Sequence, residues 1–318
     1  MNELSDLSAT ELRQLMAERA ISPVEILDQC LARIASVNPA VNAVVTLDEN
    51  GARAAARIAE AAILRGDDLG PLHGIPVLIK DTQDTAGLRT TYGSPLFADH
   101  IPTADQGSVA RLRAAGAIIF GKTNTPEWAA GGNTRNPVHG ATGNPFDPTR
   151  SAAGSSGGSA VALACGMAPL ASGSDTGGSL RNPAAYAGVV GMRPSYGLVA
   201  SERRAFGWSS LSTDGPMARN VSDTALMLSV MASDDARDPL AYALPGESVR
   251  GRADRWIAPQ AADLAKLRVG FTEDFGFAPT ERAIRHVFRD RVARISPLVA
   301  ACPEGAPDCS GADDAFAV

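Results

Sequence analysis

Histidine is scarce in this chain. His73, His100, His139 and His286 are the only four in 318 residues. None stands in H-E-x-x-H or facial-triad spacing, so the residues carry no metal-hydrolase signature, and neither a metal nor another cofactor is expected. Each histidine reads as a turn or surface residue. The four cysteines, Cys30, Cys165, Cys302 and Cys309, are scattered. Only the last two are close, and no histidine lies between them. That is neither a zinc spacing nor a disulfide framework, and the expected setting is a reducing cytoplasm. There is no long basic run, and the formal net charge is −6. Nucleic acid, which needs a concentrated Lys/Arg face, is not an expected partner. No apolar run is long enough to span a membrane, and the acidic start lacks the apolar stretch of a signal peptide.

What remains is an ordinary globular balance, 45% hydrophobic and 20% charged, with length for one large domain or two ordinary ones. Ser8 to Glu11 forms a capping box ahead of Leu12, Leu15 and Met16. Ser22-Pro23-Val24-Glu25 forms a second, with proline at the first helical position and Ile26, Leu27, Cys30, Leu31 and Ile34 at helical spacing behind it. Residues 43–47 read as a strand and 51–65 as a third helix. Residues 1–66 are thus expected to form a helical segment packed on a core that occupies 67–318. In that core, 75–79, 117–120 and 189–192 read as buried strands. Residues 108–115, 158–165, 223–231 and 280–295 read as helices. This alternation predicts an α/β fold, a sheet with helices on its faces. Residues 233–262 are charged and weakly periodic and read as a surface loop. No internal repeat is present.

The unusual segment is residues 153–183, AGSSGGSAVALACGMAPLASGSDTGGSLRNP. Flexible linkers are polar and repetitive. Here two Gly/Ser clusters enclose an apolar stretch, 160–171, that can pack as a helix and a strand. Each cluster therefore sits on a turn at the end of a buried element, where backbone N–H groups can converge on a ligand. The alternative is a small-residue packing seam without chemistry. Two motif matches mislead. Gly116 to Thr123 fits G-x-x-x-x-G-K-[ST], but its middle residues form an apolar strand rather than a phosphate loop, and Lys122 reads as an exposed strand-end residue. Gly154 to Gly158 fits G-x-S-x-G, but no strand precedes it and only His286 follows. A hydrolase without histidine needs another base. Lysine can serve if burial lowers its pKa.

Several motifs together resemble the amidase signature family. They are Gly70-Pro-Leu-His-Gly-Ile-Pro-Val-Leu-Ile-Lys-Asp81, Gly121-Lys-Thr-Asn-Thr-Pro-Glu-Trp128, the Gly/Ser segment through Pro183, Gly188-Val-Val-Gly-Met-Arg-Pro-Ser-Tyr-Gly197 and Asp214-Gly-Pro-Met-Ala-Arg219. The resemblance runs from about Ser22 to the C-terminus. It implies a large mixed β-sheet core flanked by helices on both faces. It implies a catalytic Lys80, a bridging Ser155 behind a cis peptide bond, and a nucleophile Ser179. Oxyanion donors fall on the amides of Thr176, Gly177, Gly178 and Ser179. Asp175 and Arg181 flank the nucleophile turn and are expected to brace it, with Asp175 as a direct base the alternative. One departure is Ala153 where the family's run opens with Gly-Gly. The other is length. Family members run longer, and the last residues look like the start of a further helix, so the chain is expected to stop short of the family's C-terminal part.

The implied chemistry is hydrolysis of a small-molecule carboxamide or acyl amide through a serine acyl-enzyme, with neither nucleic acid nor membrane involved and a homodimer possible in principle. A second reading is a subunit of a glutamyl-tRNA amidotransferase-like complex, or an inactive truncated homologue. A third is a serine esterase of another fold.

Overall fold

The computed structural model describes residues 4–202, 206–242, 244, 248–259 and 261–317. It divides into two units, 1–258 and 259–318.

Both capping boxes form as the sequence predicts. Ser8 caps α1 (Ala9–Ala17) and Ser22 caps α2 (Pro23–Val41), each with its glutamate reaching back. The apolar stripe of α2 is buried at Ile26, Leu27, Cys30, Leu31 and Ile34. Then follow β1 (Val44–Leu47), α3 (Glu49–Arg65), β2 (Pro76–Lys80), α4 (Gly107–Ala114) and β3 (Ile118–Thr123). A small hairpin, β4 (Arg135–Asn136) and β5 (Gly140–Ala141), precedes α5 (Gly157–Ala164), β6 (Leu170–Asp175) and α6 (Arg181–Ala187). The first unit closes with β7 (Val190–Gly191), β8 (Thr213–Ala218), α7 (Val221–Met231) and α8 (Val249–Ile257). The second unit carries α9 (Arg282–Ile295) and α10 (Ala312–Ala317).

The main sheet is mixed, in the order β1-β3-β2-β6-β8-β7. β2 runs parallel to both β3 and β6, while β1, β7 and β8 pair antiparallel. Strand side chains alternate between faces, and two apolar layers result. Leu78, Phe120, Ala171 and Met217 pack with α2, α3, α5 and α6. Val77, Ile79, Leu170 and Ala218 pack with α1, α4, α7 and α8. By the same alternation Lys80 falls on the Leu78 face, beneath α5. Helices α5 and α7 are buried nearly all round, as expected of helices with no polar face.

Two expectations change, and one strand goes unannounced. Residues 189–192 give only the two-residue β7, half-buried, because it is an edge strand paired with β8 alone. The stretch 233–262 is not all loop. Ser248 caps α8, which buries Arg252 and Ala253 against the α7 side. The Arg252 guanidinium donates to the Ser229 and Ala232 carbonyls at the end of α7, a tertiary role that no local pattern announces. Residues 243, 245–247 and 260 of that stretch lie outside the described ones. Finally, β8 had no period-2 signal and is buried at every position. Among the described residues no helix is long and apolar enough to cross a membrane.

Candidate active site

Lys80 ends the central strand β2 with its side chain fully buried. Its Nζ lies 2.6 Å from Ser155 Oγ, 3.0 Å from Ser156 Oγ and 2.9 Å from Ser174 Oγ. No carboxylate is within ion-pair distance among the described residues. Burial pushes the lysine down to about 7, against the opposing pull of Asp214 and Asp175. A neutral amine offers two N–H donors and one lone pair, so in that state one of the three hydroxyls must donate to it. Ser156 already donates to the Ser174 carbonyl while accepting from the Ser174 amide. Its proton is committed, and the donor is Ser155 or Ser174, with Ser155 the shorter contact.

Ser155 stands on the turn that enters α5, and the Gly154–Ser155 peptide bond is cis. No strand precedes it, so the G-x-S-x-G elbow is not formed. Gly158 in the first turn of α5 lets the turn sit against the β3 end. A Cβ there would meet Asn124 N at 2.3 Å, Asn124 O at 2.6 Å and Ala43 O at 2.7 Å, all backbone atoms. Gly158→Ala is expected to cost about 3 kcal/mol, read as a lowered denaturant midpoint with an unchanged slope.

The Ser179 turn follows β6 directly. The Ser179 carbonyl accepts from the Ser156 amide at 3.1 Å, which ties the two Gly/Ser clusters together. Asp175 organises this turn. Fully buried, it accepts from the amides of Gly178 at 2.8 Å and Leu180 at 3.1 Å, and pairs with Arg181 at 3.0 Å and Arg193 at 3.2 Å. Burial opposes its charge, but Arg181 and those amides outweigh it and hold the carboxyl well below the usual range. With its oxygens so occupied, Asp175 is a poor base and a good brace. Of the four sequence-expected oxyanion amides, that of Gly178 is therefore engaged inside the turn. Thr176 and Gly177 are exposed and Ser179 is half-buried.

Behind Lys80 lies a buried polar layer that the sequence reading missed. The Lys80 amide donates to Ser172 Oγ at 3.0 Å, Ser172 Oγ donates to the Gln83 side chain, and Ser159 Oγ donates to the Ser172 carbonyl at 2.8 Å. A signal was present. Ser172 and Ser174 alternate with Ala171 and Gly173 along β6, which marks one polar face of a buried strand.

Lys122 requires a correction. It is fully buried rather than exposed, with Nζ donating to the Gln83 carbonyl and lying 2.9 Å from Thr85 Oγ1 and 3.0 Å from Thr90 Oγ1. Burial pushes it down to about 8, opposed by Asp81, Asp84 and Asp105. The loop after β2 folds back over the end of β3 and covers it. Residues 118–123 are a buried strand and not a phosphate loop. His139 is also largely buried, its Nε2 3.2 Å from Thr91 Oγ1, and burial together with Arg89 lowers it to about 4. His73 Nε2 meets the Ala59 carbonyl, and His286 belongs to α9 of the second unit. Among the described residues no group of His, Cys, Asp and Glu is arranged to hold a metal ion.

Comparison with known proteins matches residues 25–298 to the family described as Amidase. The chain is 42% identical over 305 residues to a glutamyl-tRNA(Gln) amidotransferase subunit of Roseiflexus castenholzii (strain DSM 13941 / HLO8), covering 94% of this chain and 61% of that protein. It is 39% identical over 302 residues to an acylamidase of Rhodococcus erythropolis, covering 95% and 62%. Among solved structures, a bacterial aryl acylamidase of the amidase signature family superposes with a TM-score of 0.85 at 30% identity, covering 94% of this chain and 61% of that one. The peptide amidase from Stenotrophomonas maltophilia gives 0.83 at 31%, covering 96% and 63%. The chain thus spans about three fifths of the length of the relatives it matches.

Proposed function

The chain belongs to the amidase signature family, and on that premise we propose that it cleaves a linear carboxamide or acyl amide through an acyl-enzyme on Ser179. The observation that carries this reading is the buried Lys80 Nζ, 2.6 Å from Ser155 Oγ, with its proton affinity lowered to near neutrality. Neutral Lys80 takes a proton from Ser155, which takes one from Ser179. The Ser179 oxygen attacks the amide carbon. The tetrahedral oxyanion is met by amides of the 176–179 turn, each donor worth about 3 kcal/mol. Because Asp175 holds the Gly178 amide, Thr176, Gly177 and Ser179 are the donors we assign. The proton returns through Ser155 to the departing amine as the C–N bond breaks. Water then enters by the same relay in reverse and releases the acid.

A second reading uses the same site with a different acceptor. The amidotransferase relatives favour it. In that case the ammonia set free at Ser179 is passed to an activated substrate on a partner protein instead of being lost to water.

The test is labelling of the full-length protein with a fluorophosphonate, mapped to the modified peptide. Label confined to Ser179, absent in Ser179→Ala and slowed at least 100-fold in Lys80→Ala, is the expected result. Because the base works deprotonated, the labelling rate should rise with pH through about 7 and then level off. A folded protein that stays unlabelled across that range would overturn the mechanism. Ammonia release from simple amides by the isolated chain would separate the first reading from the second.

A further inference from the structure

A buried carboxylate outside this set sits where it can govern the base. Asp214 lies on β8, directly across the antiparallel pair from Ser174 of β6. Directly opposed residues in such a pair share a face with Cβ atoms about 5 Å apart. Ser174 Oγ is in turn 2.9 Å from Lys80 Nζ, so the strand partner of Asp214 touches the lysine. Asp214 is buried, and its Oδ2 accepts from Gln106 Nε2 at 2.6 Å and Ser108 Oγ at 3.2 Å. Both donors are neutral.

Two carboxylates act on Lys80, and they are not equivalent. Asp175, on β6, is compensated by Arg181 and Arg193 at ion-pair distance and by the amides of its own turn. Asp214 has no lysine or arginine at that distance among the described residues. Arg111 on α4 and Glu202 are further charges that it feels, of opposite sign to each other. Lys122, on β3, is held by Gln83, Thr85 and Thr90 and answers to Asp81, Asp84 and Asp105. The negative charge left to face Lys80 is that of Asp214.

We propose that Asp214 is a positioning residue of the active site, which sets the pH at which Lys80 becomes a competent base from its place beside Ser174 on the paired strand. Gln106 and Ser108 hold the carboxylate in place from the α4 side. Burial pushes the Asp214 carboxyl up, and the side chains of Gln83 and Ser108 and the charge of Lys80 pull it back. The inference rests on the proposed role of Lys80.

The sign follows from charge alone. An anion nearby favours the protonated lysine. Removing it makes Lys80 give up its proton more easily, and the acid limb of the reaction moves to lower pH. The experiment is the pH dependence of fluorophosphonate labelling at Ser179 in the full-length protein, which needs no knowledge of the substrate. Asp214→Asn is expected to shift the acid limb down by about 1 pH unit. Ser108→Ala, which removes one donor from the carboxylate and touches neither catalytic serine nor lysine, should shift it in the same direction by less. If Asp214→Asn fails to fold, the Ser108→Ala shift decides. Folded variants that label more slowly at every pH with an unmoved limb would make Asp214 merely structural and overturn the inference. Absence of labelling in the parent protein would instead count against the Ser179 mechanism itself, so the two failures are distinguishable.

Discussion

Lys80→Met is expected to abolish fluorophosphonate labelling and amide cleavage while raising the thermal midpoint by a few degrees. The two effects share one cause. Among the described residues Lys80 has no counter-ion at bonding distance, and it is fully buried, so its protonated form is disfavoured in the folded state. A folded-state value near 7 against 10.5 unfolded costs roughly 4 kcal/mol at neutral pH. The unfolded chain binds the extra proton between those values, so the parent's stability gains from this group as pH rises from about 7 towards 10.5, and the penalty is complete below that window. Methionine has nearly the same shape and no charge. It abandons three hydroxyl contacts, at Ser155, Ser156 and Ser174, each worth about 1 kcal/mol, and a net gain of about 1 kcal/mol remains. Calorimetry at pH 6 and pH 9 checks this directly. The advantage of Lys80→Met should be larger at pH 6. An equal or lower midpoint at both values would mean that the lysine is better accommodated than its burial implies. On the kinetic side, loss of a general base typically costs about 10²- to 10⁴-fold, and methionine offers no basic lone pair to replace it.

Asp175→Asn is expected to be the most damaging single change at the nucleophile turn. The carboxylate has no exposed surface and gathers two guanidinium groups and the amides of Gly178 and Leu180. Asparagine keeps one acceptor oxygen, presents an NH₂ to arginine donors, and leaves the positive charges uncompensated. Breaking a buried pair from one side costs about 3–5 kcal/mol. The same carboxylate fixes the turn that holds Ser179, so labelling should be lost even in the fraction that remains folded. Arg181→Ala makes the useful contrast. Its side chain is 55% exposed, solvent already screens it, and Arg193 remains, so about 1 kcal/mol is expected. Urea midpoints for the two variants should therefore differ severalfold in their displacement from the parent. Equal displacements would place the weight of the turn on Arg181.

The sequence and the structure agree where information is local and part where it is not. The helix starts at Ser8 and Ser22 are written in adjacent residues, because a capping box is closed within four positions. Strands β2 and β3 show as apolar runs because a parallel strand covered on both faces needs one. Strand β8 has no such run. Its Thr-Asp-Gly-Pro-Met-Ala sequence is strand only because β6 on one side and β7 on the other supply partners. Helix α8 is hidden for a similar reason, since its buried arginine is satisfied by carbonyls of α7.

The site divides in the same way. By itself the sequence determined which residues to propose for the chemistry. Two Gly/Ser turns bracketing an apolar helix and strand, a lysine closing an apolar run, the absence of a usable histidine and the family motifs around them led to Lys80, Ser155, Ser179 and the bracing role of Asp175. What tertiary structure decided is which lysine is held among serines and which among threonines. Lys80 and Lys122 each stand at the end of a buried strand, and both side chains are fully buried. The fold brings Ser155, Ser156 and Ser174 from α5 and β6 to the first, and lays the loop after β2 over the second. A lysine's proton affinity is set by what surrounds it within a few ångströms. At Lys80 those neighbours lie 75 to 94 positions away along the chain, and they arrive only once the strands have paired.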